Sequence, residues 1–140
     1  MEGNQRNEKG PDGDTYGDYS YAARNAGHAM CRARKRMNTI MTLREKQSKF
    51  VAMVALLIQF AYEQGYELTF GDAWATGGHR PNSLHYQRLA IDLNLFREGK
   101  YLPATEDHQP LGEFWESIGG SWGGRFQDGN HYSIEHEGRK

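Results

Sequence analysis

The sequence predicts an α+β domain in which a small antiparallel sheet packs with two main helices. Three observations carry that expectation. Apolar residues recur at helical spacing across a long central segment, shorter segments alternate apolar and polar residues, and a second helical stripe lies between a proline and a pair of glycines.

The first helix is expected from about residue 43 to 64. Thr42-Leu43-Arg44-Glu45 has the form of a capping box, in which hydroxyl and carboxylate satisfy free backbone donors at a helix start. Phe50, Val51, Val54, Leu57, Ile58 and Ala61 then recur three and four residues apart, and Gly65 supplies a left-handed stop. Tyr66 to Phe70 alternates as a short half-buried strand does, and residues 71 to 84 read as loop. From Leu89 the alternation resumes, with Leu89, Ile91, Leu93 and Leu95 on one face and Ala90, Asp92 and Asn94 on the other. Arg97-Glu98-Gly99-Lys100 suits a hairpin turn returning through Tyr101 and Leu102. Pro110 opens a shorter helix whose stripe is Leu111, Phe114, Trp115 and Ile118, ended by Gly119-Gly120. Trp122-Gly123-Gly124 then leads to an Asp128-Gly129-Asn130 turn and a last strand from His131 to Glu135.

Residues 1 to 40 show neither periodicity and are rich in Gly, Asn, Asp, Arg and Tyr, so they are expected to be disordered. Their net charge is +2, whereas residues 41 to 140 carry -3, and the domain is placed where the sign changes. The basic run around Arg32 to Arg36 reads as a solvated tail.

At 140 residues, 37% hydrophobic and 25% charged, the chain holds one globular domain and leaves no room for a second catalytic one. A net charge of -1 gives no reason to expect nucleic acid or an anionic membrane as partner. Cys31 is the single cysteine, which excludes an internal disulfide and a thiolate-rich metal cage. The most apolar run, residues 50 to 62, is too short to span a bilayer, which takes roughly 20 residues. The basic cluster leads into polar sequence rather than an apolar stretch, so no secretory signal is expected.

The chemistry lies in His85, Asp92 and His131. A catalytic zinc site uses three nitrogen or oxygen ligands and keeps a fourth position open for water. Asp92 faces away from a leucine-rich set, and a cation would supply the partner that its carboxylate needs. Seven residues separate His85 from Asp92, an odd offset that would put them on opposite faces of one straight strand, so His85 must sit on a bend before it. His131 shares one face of the last strand with Ser133 and Glu135. Asp128, three residues before His131 across a turn, is placed where a base for the attacking water would belong. Each residue has a plainer reading: a turn aspartate, a loop histidine, a strand carboxylate paired with Arg88 or Arg125. His28, His79, His108 and His136 read as surface or structural residues.

Ser83-Leu84-His85-Tyr86-Gln87-Arg88-Leu89-Ala90-Ile91-Asp92 resembles the pattern Ser-x-His-x-x-Gly-x-Ala-x-Asp, and Asp128-Gly129-Asn130-His131 resembles acid-x-x-His. These two ordered motifs are similar to those of the zinc peptidases of the D-Ala-D-Ala carboxypeptidase and L-Ala-D-Glu endopeptidase group, and over residues 41 to 140 most of all to short phage endolysins. The resemblance implies the fold shared by Hedgehog and DD-peptidase domains, with His85, Asp92 and His131 as zinc ligands and Asp128 as catalytic base. Arg88 stands where the pattern has glycine. The upstream arginine that binds substrate in many members has Arg80 as its nearest counterpart, and Ser83 is the other candidate for substrate contact.

The implied reaction is hydrolysis of an amide bond in a peptidoglycan stem peptide by a monomeric enzyme. It would be held in the cytoplasm of an infected host until released to the wall, with residues 1 to 40 as an upstream extension or a misread start. The rival expectation is a zinc-stabilised wall-binding or phage structural domain that does not cut, against which an intact Asp128 argues.

Overall fold

The computed structural model describes residues 41–140, which form one unit beginning at Met41. The expectation of disorder in residues 1 to 40, with His28 and Cys31, lies outside the described residues.

Helix α1 runs Leu43–Glu63. The capping box is present: Thr42 Oγ1 accepts from the Glu45 backbone N–H at 3.3 Å, and the Glu45 carboxylate accepts from the Thr42 N–H at 2.9 Å. Phe50, Met53, Val54, Leu57 and Ala61 form its buried stripe, and Gly65 continues past the end with φ +76°.

Five strands follow: β1 Glu67–Phe70, β2 Ala90–Arg97, β3 Lys100–Leu102, β4 Ser121–Trp122 and β5 His131–Ser133. All pairings are antiparallel, in the order β1-β2-β5-β4, with β3 also paired to β2. Strand β2 is the spine. β1 pairs with its residues 93 to 96, β5 with 90 to 92 and β3 with 95 to 97. Glu98 and Gly99 both have positive φ, 51° and 71°, which makes the expected two-residue hairpin turn between β2 and β3.

Helix α2 is Gln109–Ser117, with Pro110 in its first turn and Gly119 at φ +98° beyond its end. Trp115 on this helix is fully buried, meets Phe50 of α1 edge-on at 5.8 Å and Tyr132 of β5 at 6.1 Å, and donates its indole N–H to the Ser133 carbonyl at 2.8 Å. Tyr132 lies opposite Ile91, so the core occupies the sheet face that carries Ile91, Leu93 and Leu95. Asp92 and His131 point to the other face.

Some boundaries differ from the sequence reading. The last strand ends at Ser133 rather than Glu135: Ile134 N–H still reaches the Leu89 carbonyl, but the Leu89 N–H goes to the Leu84 carbonyl, so the ladder stops there and the chain closes a small bridge between His136 and Arg139. Three short 3-10 helices, Leu84–Gln87, Thr105–His108 and Gly123–Phe126, and the two-residue strand β4 have no periodic signal, being too short to show one. Among the described residues no helix is long and apolar enough to cross a membrane.

Candidate metal centre

Asp92 and His131 face each other across the β2–β5 pair. Both backbone groups of Asp92 bond the other way, N–H to the Asp72 carbonyl at 3.0 Å and carbonyl to the Gly71 N–H at 2.8 Å. Asp92 and His131 are therefore a non-hydrogen-bonded cross-strand pair, the kind that brings side chains closest. His131 Nδ1 lies 3.0 Å from Asp92 Oδ1.

His85 arrives from the bend that the odd offset required, on the 3-10 helix just before β2. Ser83 caps this helix, its hydroxyl accepting from the His85 N–H at 3.3 Å. Arg88 ends it in the left-handed conformation, φ 56°, which is why the family pattern favours glycine there. His85 Nε2 sits 3.2 Å from His131 Nδ1 and 3.3 Å from Asp92 Oδ1. The Asp92 and His131 side chains keep about a fifth of their surface exposed (19% and 18%), while His85 is buried. The triad is thus open on one side.

Burial works against ionisation of Asp92, but hydrogen bonds and charge from His131 and His85 hold its carboxyl far below the usual carboxylate range. The pairings of Asp92 with Arg88 or Arg125 do not form. Arg125 binds Glu116 at 2.6 Å, and the Arg88 guanidinium lies 4.8 Å from the Trp74 ring, beside an open groove of about 520 Å³.

The three converging atoms are all basic sites that a shared cation can satisfy together, whereas two ring N–H groups aimed at Asp92 would oppose each other at 3.2 Å. A tetrahedral ion with bonds of about 2.0–2.1 Å separates its ligand atoms by about 3.3–3.4 Å. The observed edges of 3.0, 3.2 and 3.3 Å nearly reach that size. His85, Asp92 and His131 are, among the described residues, the group of three able to hold a metal ion.

Asp128 lies in an exposed turn, not among the metal-holding atoms. Its carbonyl accepts from the His131 N–H at 3.2 Å, and its own N–H bonds to the Gly123 carbonyl at 3.0 Å, so the turn is tied to His131. Arg80 is exposed in the turn before Ser83. Ser83 already spends its hydroxyl on the His85 N–H.

His79 stands closer to the centre than a surface or structural histidine would suggest. Its ring stacks on that of His85 at 4.4 Å and 18°, and its Nε2 meets Asp72 Oδ2 at 3.0 Å. The loop it occupies has no periodicity, and nothing in the sequence pointed to it. His108 is a core residue, as expected, with its Nδ1 3.0 Å from the Tyr132 hydroxyl. His136 meets Lys46 Nζ at 3.2 Å on the surface side.

Residues 76–134 match the D-alanyl-D-alanine carboxypeptidase family, a span that includes His85, Asp92, His131 and Asp128. Over that span the chain is similar to that family. No curated protein sequence matches it. The match points to a peptidase-type domain, and the α+β architecture is consistent with it.

Proposed function

We propose that this chain is a zinc-dependent peptidase that hydrolyses amide bonds in peptidoglycan stem peptides, of the L-Ala-D-Glu endopeptidase or D-Ala-D-Ala carboxypeptidase type and akin to phage endolysins. The observation that carries the reading is the triangle of His85 Nε2, Asp92 Oδ1 and His131 Nδ1, with edges of 3.0–3.3 Å and one open side. Two neutral imidazoles and one carboxylate suit zinc and leave it a net positive charge.

Bound zinc supplies Lewis acidity, polarising a carbonyl oxygen and lowering the pKa of water to roughly 7. The protein supplies the rest. Asp92 neutralises part of the metal's charge, and its position inside the strand pairing keeps the ligands fixed as charge develops. Asp128 is the base: its exposed carboxylate, tied through its own backbone to His131, takes the proton of the attacking water and returns it to the leaving amine. The enzyme would wait in the host cytoplasm and meet its substrate once the membrane is permeabilised.

Metal analysis of the purified protein should find about one zinc per chain, lost in His85→Ala, Asp92→Ala and His131→Ala. Mass spectrometry of digested peptidoglycan, with and without chelator, should show one stem-peptide bond cut in a metal-dependent way. Full zinc without any cleavage would instead assign a wall-binding domain, and absence of zinc would remove the mechanism.

A further inference from the structure

A histidine that holds a metal ordinarily donates its other ring N–H to an acceptor, which fixes the ring's tautomer and direction. His85 does not. Its Nε2 faces Asp92 and His131, and among the described residues its buried Nδ1 has no hydrogen-bond partner. Something other than a hydrogen bond must therefore hold the ring in line.

We propose that His79 does this: it is a positioning residue that fixes the metal-holding ring of His85 by stacking on it, with Asp72 and Tyr86 holding His79 in turn. The inference rests on the metal-binding reading above. The two imidazoles are nearly parallel, 18° apart at 4.4 Å between centroids. His79 is anchored from both ends. Tyr86 donates its hydroxyl to the His79 carbonyl at 2.9 Å and accepts from the His79 N–H at 3.0 Å, while Asp72 Oδ2 holds the ring at Nε2 at 3.0 Å. Tyr86 follows His85 directly, so the platform and the ring it supports share one short helix as their base.

Asp72 links a second metal-holding residue to the same brace. Its backbone carbonyl accepts from the Asp92 N–H at 3.0 Å while its side chain holds His79. One residue thus fixes Asp92 through its main chain and His85 through a stacked intermediary. The loop between β1 and the 3-10 helix becomes an outer wall of the metal centre.

The test measures metal affinity rather than turnover. Zinc is titrated into the apo full-length protein against a chromophoric chelator, and the visible spectrum of the Co2+-loaded protein reports ligand geometry. His79→Ala should weaken zinc binding about tenfold to a hundredfold, the usual cost of losing support behind a ligand, and should alter the Co2+ bands. His79→Phe keeps a flat ring over His85 and should restore affinity to within a few-fold of wild type. Asp72→Ala, which frees the His79 ring, should lie between these two.

Wild-type zinc affinity and Co2+ spectrum in His79→Ala would overturn the proposal, as would a His79→Phe variant as weak as His79→Ala. If His79→Ala does not fold without metal, Asp72→Ala decides, and unchanged affinity there overturns it. A wild-type protein that takes up neither Zn2+ nor Co2+ would refute the metal-binding reading itself, an outcome distinct from all of these.

Discussion

Gly123 leaves no room for a side chain against the Asp128 turn, and Gly123→Ala tests whether that turn sets the chemistry. A methyl group there would lie 2.4 Å from the Asp128 carbonyl oxygen and 2.7 Å from His131 Cβ. Neither can swing aside, because one is main chain and the other is the first side-chain atom. Ordinary contact begins near 3.4 Å, so the turn must retreat by about 1 Å. The Asp128 N–H to Gly123 carbonyl bond, and the Asp128 carbonyl to His131 N–H bond beyond it, move with it. Overpacking of this kind costs about 1–3 kcal/mol of stability, and a 1 Å misplacement of a reacting group costs about a hundredfold in rate. Gly77→Ala is the control, since its methyl group meets nothing within 4 Å. Urea unfolding, zinc content and peptide cleavage on both variants form the assay. Wild-type turnover and stability in Gly123→Ala would refute the claim that this close approach positions Asp128 and His131.

Asp128→Asn keeps a residue suited to the turn but cannot take a proton, so it should retain full zinc and lose turnover by roughly a hundredfold to ten-thousandfold; zinc content and cleavage measured on one preparation decide, and unchanged turnover removes Asp128 as base. Burial lowers the pKa of His108, opposed by the Leu102 backbone and the Asp107 charge, so the folded state binds fewer protons than the unfolded chain. Its contribution is complete above the unfolded value of about 6.5 and is lost as pH falls below it, by up to about 1.4 kcal/mol per pH unit. Urea midpoints of wild type and His108→Gln between pH 7.5 and 5 should converge on acidification; parallel curves would exclude His108 as the source. Removal of residues 1 to 40 should leave cooperative unfolding and cleavage nearly unchanged, because α1 carries its own cap at Thr42; loss of a cooperative thermal transition would show that the segment contributes to the domain.

The parts of the fold that were legible are those whose signal is local. Thr42 and Glu45 are three residues apart, the α1 stripe repeats within one helix, and the β2 alternation correctly put Ile91, Leu93 and Leu95 inward and Asp92 outward. The same alternation, with the odd His85–Asp92 offset, required the bend that the 3-10 helix supplies. Ala90 shows the limit of that reasoning, since it lies on the Asp92 face yet is fully buried: β2 pairs with Ser133 of β5 there, and that end of the strand is covered on both sides. His79 was illegible for another reason. Its role depends on a loop folding back so that residues seven and six positions away, Asp72 and His85, meet one ring from two sides, and no spacing rule describes such a path.

The opposition of Asp92 and His131 depends on strand register, which a one-residue slip of β5 would destroy by turning His131 toward the core face. A three-residue strand has few backbone bonds with which to resist slipping. Its register is held instead by buried polar contacts from outside the pair. The Trp115 indole binds the Ser133 carbonyl at 2.8 Å, the Trp122 indole binds the Gly129 carbonyl at 2.8 Å, and the Tyr132 hydroxyl meets His108 at 3.0 Å. A slip would leave two buried indole N–H groups unpaired, at about 1–3 kcal/mol each, besides moving fully buried Tyr132 out of the core. The two tryptophans thus act on function through geometry. They keep one strand in the single register that sets an imidazole opposite a carboxylate.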